Sequence, residues 1–527
     1  MIDLMRLPAG DRERIIHLQA IIDNQQADWE FVRQRRDYFD GRQRVFLTTN
    51  QQKWLGLFVN PAPTVNGQSF SYTPTFAVNQ VRNLVNTVIQ RLRVVGFTVG
   101  GHTAGQSQGE DDTISPEAEA AALLWQWWAA NDLDTLQIDL YRRAERDDVS
   151  YVMVSWDTEN DRPAITVQAR YDGAIGLTTH LDAEMQRPMY HCKYWFEYDP
   201  LTPGVTGRER KTVYLPGQIL KYRQAGNSPE TAYNWQPVQD PGETAWPVPW
   251  TGVDGQPLGF AVWPFRVPGG SVLSVSFLDL QDALNAAALD LLAAAAAHGF
   301  PVMAIEYDAS IAPPPSVGVD AKDEEGAALE IAPGRYVELY GAKLSRLPAG
   351  DLTQMIATIQ AIINLMAGVT GLHVSHFWPA AGSDAVSGES LRMRDGALVA
   401  MAEERQLAFT SPWGNVMQVA WKLAQRYSRR PLPRVDGLPM IRPVWADANV
   451  RSELTQAQVA QIHRGLGVPD EMIWQRQLGY TPDEVAQFQE NQRRNDALKI
   501  ATIAAQLRLS QSAPGAQPAP GKIRNQD

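Results

Sequence analysis

The run SVLSVSFLDLQDALNAAALDLLAAAAAHGF, residues Ser271 to Phe300, constrains this chain more than any other stretch. Its large apolar residues fall at Leu273, Phe277, Leu280, Leu284 and Leu291, with Ala287 and Ala288 filling the gap. Steps of three and four put them on one stripe of a single helix. The other faces are mostly alanine, with Asp279, Gln281, Asp282, Asn285 and Asp290 supplying polarity. Alanine favours helix and lets neighbouring helices approach closely. About 28 residues at roughly 1.5 Å each make a rod of about 40 Å. Two readings are open on these residues alone: the buried central helix of a large α-rich domain, or a helix packed side by side with copies of itself.

The stripe recurs. From Asp351 a second helix carries Leu352, Met355, Ile359, Ile362 and Met366 at the same spacing. Between the two helices, residues 301–350 hold the strand-like PVMAIEYD and RYVELYG and an acidic cluster of Asp320, Asp323, Glu324 and Glu325. If the helices are antiparallel neighbours, this excursion projects from their common end. Residues 368–388, GVTGLHVSHFWPAAGSDAVSG, break the second helix. A long helix follows from Glu389 to about Tyr427, and Pro412 with Gly414 predicts a kink in it.

Before Gly270 the chain reads as α+β. Amphipathic helices are expected before Asn50, around Val78 to Leu92, from Pro116 to Asp134 and from Leu136 to Asp147. YVMVSWD, AITVQAR, MYHCKYWFEYD and KTVYLPGQILKYR are β-branched and aromatic, hence strands. Residues 224–259 read as irregular loop. Near the C-terminus, Thr481-Pro-Asp-Glu484 is a helix N-cap signature, and the last residues, QSAPGAQPAPGKIRNQD, have the composition of a disordered tail.

With 44% hydrophobic and 20% charged residues over 527 positions, the chain has material for a substantial core. A net charge of -12 argues against a surface built to neutralise DNA. The single cysteine, Cys192, excludes an intrachain disulfide framework and a multi-cysteine metal site. No signal peptide is visible and no run is expected to span a membrane; the nearest, Ala286 to Ala297, is broken by Asp290. The chain therefore reads as soluble.

The search for chemistry is largely negative. There is no Gly-x4-Gly-Lys-Ser/Thr loop, and GFTVGGHTAG lacks dinucleotide-binding spacing. His373 and His376 read as ordinary loop histidines, without HExxH or paired cysteines. No nucleophile elbow frames Ser383-Asp384 or Ser387. Asp147 and Asp148 read as a turn before a strand rather than a nuclease centre. The scatter of the 16 tryptophans argues for packing rather than a sugar cleft. No cofactor and no metal are expected.

Five stretches, in order, resemble the portal proteins of tailed bacteriophages, in the branch common among long-tailed phages. They are NQVRNLVNTVIQRLRVVGF, WWAANDLDTLQIDLYRRAERDDVSYVMVSWD, LDLQDALNAAALDLLAAAAAHGFP, SGESLRMRDGALVAMAEERQLAFTSPWGNVMQVAW and WADANVRSELTQAQVAQIHRGLGVPDEMIWQRQLGYTPDEV. In the second, Asp148 stands where a small residue such as Gly is usual.

The resemblance implies a predominantly helical α+β portal-type fold assembled as a ring, usually of twelve subunits. Its parts would be a wing (1–270), a first stem helix (271–300), a clip (301–350) and a second stem helix (351–370). A tunnel loop (371–388), a long wing helix and connector (389–444), a helical crown (445–505) and a disordered tail (506–527) would follow. Such a ring is a non-enzymatic DNA channel at one capsid vertex of the virion, assembled in the host cytoplasm. Its partners would be further copies, double-stranded DNA, the terminase large subunit, head-completion or adaptor proteins, the major capsid protein and scaffolding protein, and no membrane.

The same resemblance makes His373, Ser375, His376, Phe377, Trp378, Ser383 and Asp384 tunnel-loop residues. It makes Ala287, Ala288, Ala294 and Ala295 stem contacts between subunits, and Asp320, Asp323, Glu324 and Glu325 clip contacts with partners. Arg392, Arg394, Arg405 and Arg426 on the long helix read as solvated or salt-bridged before they read as DNA contacts. The rival readings are a minor capsid or head adaptor protein that forms no ring, and a packaging-associated hydrolase.

Overall fold

The computed structural model describes residues 9–42, 64–65, 68–69, 78–104, 107–108, 113–173, 176–182, 184–197, 208–224, 235–243, 245–299, 303–307, 336–340, 352–378, 388–435, 437, 440–449, 453–476 and 478–512. The acidic cluster at Asp320 to Glu325, Ser383 with Asp384, and residues 513–527 lie outside that set. Helix accounts for 54% and strand for 21%, so the expected mixed, mainly helical α+β class is borne out.

In chain order, helices α1 (Ala9–Gln26), α2 (Trp29–Asp40) and α3 (Gln80–Ile89) lead to strands β1 (Val94–Val99) and β2 (His102–Thr103). Helices α4 (Pro116–Ala130) and α5 (Leu133–Asp147) precede the hairpin β3 (Val149–Asp157) and β4 (Arg162–Gln168). Then come β5 (Gly176–Leu181), β6 (Pro188–Glu197), β7 (Arg208–Tyr214), β8 (Gln218–Gln224), β9 (Trp235–Pro237), β10 (Val248–Pro249) and β11 (Val262–Arg266). Helix α6 (Val275–Gly299), strands β12 (Met303–Tyr307) and β13 (Tyr336–Tyr340), and helices α7 (Leu352–Thr370) and α8 (Gly388–Tyr427) follow. Strand β14 (Ile441–Trp445) and helices α9 (Glu453–Gly465), α10 (Asp470–Arg476) and α11 (Pro482–Ser512) complete the chain.

The chain forms two compact units. The larger comprises residues 1–93, 131–429 and 448–450. In it, β5 to β9 form an antiparallel sheet in the order β9-β8-β7-β6-β5, with β10 also on β8. One side of that sheet carries α1, whose Ile16 and Ala20 pack among Tyr190, Cys192, Val213 and Leu220. On the other side Leu177, Tyr214 and Ile219 meet Val149, Tyr151 and Val262 of a second sheet, β11-β3-β4. Helix α8 packs on that second sheet. Its Trp413 is fully buried, donates to Tyr141 Oη at 2.9 Å and lies edge-on to Phe265. Helix α8 runs through Pro412 and Gly414 as one helix.

The smaller unit comprises residues 94–130, 430–447 and 451–527. Its sheet has the order β14-β1-β2, with β14 antiparallel to β1. Trp128 of α4 is fully buried against Phe97 of β1 at 5.5 Å. The side chain of Gln475 on α10 approaches the bare backbone of Gly96. Residues 94–130 thus pack with the C-terminal helices, although the sequence groups them with the wing. The reason is hydrogen bonding: β1 is a central strand, and β14 satisfies its open edge. Helix α11 also runs through Ser512, seven residues beyond the point where the sequence reading begins a disordered tail at 506.

Candidate functional site

Helices α6 and α7 pack on each other, as their shared spacing predicts. On α6 the residues turned inward are Phe277, Leu278, Gln281, Leu284, Asn285 and Leu289, preceded by the buried Leu273. Leu280 and Leu291 of the expected stripe are only half-buried. Two amides read as outer-face polarity, Gln281 and Asn285, are instead fully buried. Gln281 Nε2 donates to Val78 O at 2.5 Å and to Asn285 Oδ1 at 3.0 Å, and its Oε1 accepts from Gln80 N at 3.1 Å. Asn285 Oδ1 accepts from Val78 N at 2.8 Å. The amides thereby satisfy main-chain groups at the start of α3, which burial would otherwise leave unpaired. The signal was present in the sequence: Leu273, Phe277, Gln281, Asn285 and Leu289 run at strict intervals of four.

Nearby, Tyr38 Oη donates to Asp282 Oδ2 at 2.5 Å. Burial raises both groups' pKa values; for Tyr38 the neighbouring carboxylate adds to the rise, whereas the phenol's hydrogen bond restrains it for Asp282. The proton therefore stays on the phenol, and the pair acts as a fixed clasp between α2 and α6.

A charged hub secures the entry to α6. Asp148 takes the left-handed conformation, φ 68°. That is the backbone state glycine adopts at no steric cost, which accounts for the small residue usual at this place in the portal-like pattern. Here the aspartate is held by its partners: Arg35 Nη1 at 2.6 Å, Arg170 Nη1 at 3.2 Å and the Ser271 main-chain N–H at 2.7 Å. Asp147 is fully buried and bidentate with Arg146, both bonds being 2.7 Å. Glu145 is fully buried with Arg405 Nε at 2.9 Å, and burial pushes its carboxyl up against the opposing pull of Arg405. The acidic pair at 147–148 is therefore a structural knot tied by Arg146, Arg35 and Arg170, and Arg405 of α8 is the cation of the adjacent Glu145. Arg426 reaches the main chain of Thr251 and its hydroxyl at 3.0 Å.

After α7 the chain turns at Gly371 into a short 3₁₀ segment, Val374–His376. His373 Nδ1 lies 2.8 Å from Ser375 Oγ and accepts from Ser375 N at 3.2 Å. His376 Nε2 faces Asp395 Oδ1 at 3.4 Å. Burial lowers the pKa of His376, with Asp395 opposing. Asn83 and Gln80 of α3 donate to the carbonyls of His376 and Phe377 at 2.7 and 3.2 Å. These α3 side chains thus fix the base of the loop. Phe377 is 3% exposed and packs against Phe277, so it anchors the loop. Trp378 is 43% exposed.

The outer face of the pair carries uncovered apolar side chains. Leu292 is 42% exposed, and on α7 Ile356, Leu365 and Val369 are 42%, 58% and 48% exposed. Ala287, Ala288 and Ala294 are half-buried and Ala295 is exposed. Helix α7 has the length and apolar composition to cross a bilayer, which the sequence reading did not anticipate. Its polar residues, Thr353, Gln354, Thr358, Gln360 and Asn364, are all uncharged, and this keeps its hydropathy high. In the excursion, β12 and β13 pair in parallel, Met303 opposite Tyr336.

No family model matches the chain. Two curated proteins do. The portal protein of Mycobacterium phage D29 is 24% identical over 458 residues, covering 83% of both chains. The portal protein of Mycobacterium phage L5 is 23% identical over 465 residues, again covering 83% of both. The resemblance to phage portal proteins read from five short stretches therefore extends over most of the chain.

Proposed function

We propose that the protein is the portal subunit of a tailed phage, a structural component of the virion. Copies assemble into a ring, of twelve by analogy with the family, at one capsid vertex, and double-stranded DNA passes through its channel during packaging and ejection. The observation that carries this reading is the pair α6 and α7, rooted by buried amides at one end and leaving Leu292, Ile356, Leu365 and Val369 uncovered. Apolar side chains left exposed on one helix pair suit contacts with further copies. Covering the exposed halves of four such side chains contributes on the order of 4 kcal/mol per subunit. The relatives' names point the same way.

In this reading Ala287, Ala288, Ala294 and Ala295 permit close approach of neighbouring stems. The excursion at 301–350, with Asp320, Asp323, Glu324 and Glu325, docks the terminase and later the head-completion proteins. His373, Ser375, His376, Trp378, Ser383 and Asp384 belong to the loop nearest the channel, with Phe377 as its buried foot. Particle images of the purified protein test the ring directly: closed rings with a central hole are expected, and a uniform population of monomers or open clusters would sink the proposal. Deleting Trp378 to Asp384, which spares Phe377, should leave rings intact and impair DNA packaging or retention. Full-length packaged genomes in that mutant would remove the loop's role.

A further inference from the structure

An aromatic groove between α10 and α11 takes no part in the stem. It lies within the smaller unit and has a volume of about 520 Å³, inside the range of ordinary ligand pockets. Its floor is built of rings: Phe488 lies 6.1 Å from Trp474 and 5.1 Å from Tyr480, and is itself 42% exposed. Along one side Asn491, Gln492 and Asn495 present exposed amides. Asp496 and Lys499 also reach the groove, but they pair with each other at 3.2 Å. The groove therefore offers aromatic faces and amide hydrogen bonds rather than net charge. From Phe488 to Lys499 it follows α11 for about 17 Å.

An extended, uncharged, proline-rich strand has the matching chemistry. Its rings stack on aromatic faces, its carbonyls are free to accept hydrogen bonds, and its stiffness leaves little entropy to lose. The chain carries such a strand just past α11. Residues 513–521, APGAQPAPG, are uncharged and include Pro514, Pro518 and Pro520. At three residues per turn, Pro514, Gln517 and Pro520 share one edge of a polyproline II strand, spanning about 19 Å. Groove and strand thus agree in length as well as in chemistry.

A chain cannot fill its own groove this way. Helix α11 is continuous to Ser512, so Phe488 lies about 36 Å back from the helix end. Pro520 stands eight residues beyond Ser512 and reaches back about 28 Å at full extension. We propose that residues 513–521 of a neighbouring copy occupy the groove, with prolines on Phe488, Trp474 and Tyr480, and so tie adjacent subunits together. The proposal rests on the ring reading only for the presence of a neighbour; the groove's affinity for the strand does not depend on it.

The probe is a fluorescently labelled synthetic peptide of residues 513–527, titrated with the full-length protein and read by anisotropy. Wild type should bind it. A peptide with Pro514, Pro518 and Pro520 all replaced by alanine should bind about tenfold or more weakly, and so should the native peptide to Phe488→Ala protein, as expected for an aromatic anchor. The alanine peptide keeps the comparison on unaltered protein, whatever Phe488→Ala does to folding. Disulfide trapping then reads occupancy between copies. Protein carrying Asn491→Cys is mixed with protein carrying Gln517→Cys and oxidised; the native Cys192 is buried and stays out of the exchange. Linked pairs of one chain of each kind are expected, and the three alanines placed beside Gln517→Cys should abolish them. Peptide binding and linked pairs from a protein whose particle images show no ring would count against the ring alone. No peptide binding, equal binding of the two peptides, or absence of linked pairs in a co-assembled mixture overturns the proposal, as does a link formed within single chains that carry both cysteines.

Discussion

The β-sheets of the larger unit and its paired helices α6 and α7 finish their surfaces differently. Around the sheets, Tyr141, Phe265, Phe409 and Trp413 are fully buried, and each aromatic has its neighbours within its own unit. On α6 and α7 the inward face is equally complete, with Gln281 and Asn285 at 0% exposure, but the outer face leaves Leu365 at 58% and Val369 at 48%. A chain that can bury Trp413 and satisfy every contact of Gln281 is not short of folding information. In the proposed ring, another copy would cover that open face.

The most direct way to break that comparison is a charge on the open face. Leu292→Glu and Ala295→Glu should leave the monomer's thermal unfolding nearly unchanged, since surface substitutions usually fall within about 0.5 kcal/mol. Assembly, read by sedimentation and particle images, should collapse, because each ring contact would bury an unpaired carboxylate. Normal rings from both variants would return α6 to the status of an ordinary core helix.

The opposite pattern is expected in the wing. Arg405→Met strands Glu145, fully buried, without its cation. Breaking such a pair costs about 3–5 kcal/mol, and the double variant Glu145→Gln/Arg405→Met should recover most of it. Denaturant unfolding measures both. If Arg405→Met is as stable as wild type, the hub at residues 145–148 is not what secures the entry to α6.

Acid should also act on the wing. Burial lowers the pKa of His191 to about 3, and burial together with Lys211 lowers that of His17 to about 4, from 6.5 in each case. The unfolded chain therefore takes up these protons first. The stability contributed by the neutral imidazoles is present above pH 6.5 and is lost as pH falls from there toward 3. For fully buried His191 the slope is about 1.4 kcal/mol per pH unit. Comparing urea midpoints of wild type and His191→Gln between pH 7 and 4 isolates the effect from the carboxylates; parallel pH curves would refute it.

Much of this arrangement was legible in the sequence, because periodicity reports local geometry. The spacing of Leu273, Phe277 and Leu284, repeated by Ile359 and Met366, identified two helices that do pack together. The hairpin at YVMVSWD and AITVQAR was readable from its β-branched residues. What periodicity could not report was long-range satisfaction. The partners of Gln281 lie at Val78 and Gln80, some two hundred residues away, so an amide on an apolar stripe looked like surface polarity. Phe377 looked like a loop aromatic for the same reason, since its packing partner is Phe277. The pairing of β14 with β1, which draws residues 94–130 to the C-terminal helices, also joins segments more than three hundred residues apart.

The smallest expected effect tests the one place where the sequence departs from the portal-like pattern. Asp148 occupies a left-handed backbone position, φ 68°, where glycine is at ease and a β-carbon is strained by roughly 1 kcal/mol. Its carboxylate repays that strain by holding Arg35 and the Ser271 amide. Asp148→Gly removes both the strain and the contacts, so its stability should stay within about 1–2 kcal/mol of wild type. Asp148→Ala keeps the strain and loses the contacts, and should be less stable than the glycine variant by about 1 kcal/mol. Denaturant midpoints of the three proteins decide the matter. If alanine matches glycine, backbone conformation is not the reason for a small residue here, and the ion pair with Arg35 must be what the position is built for.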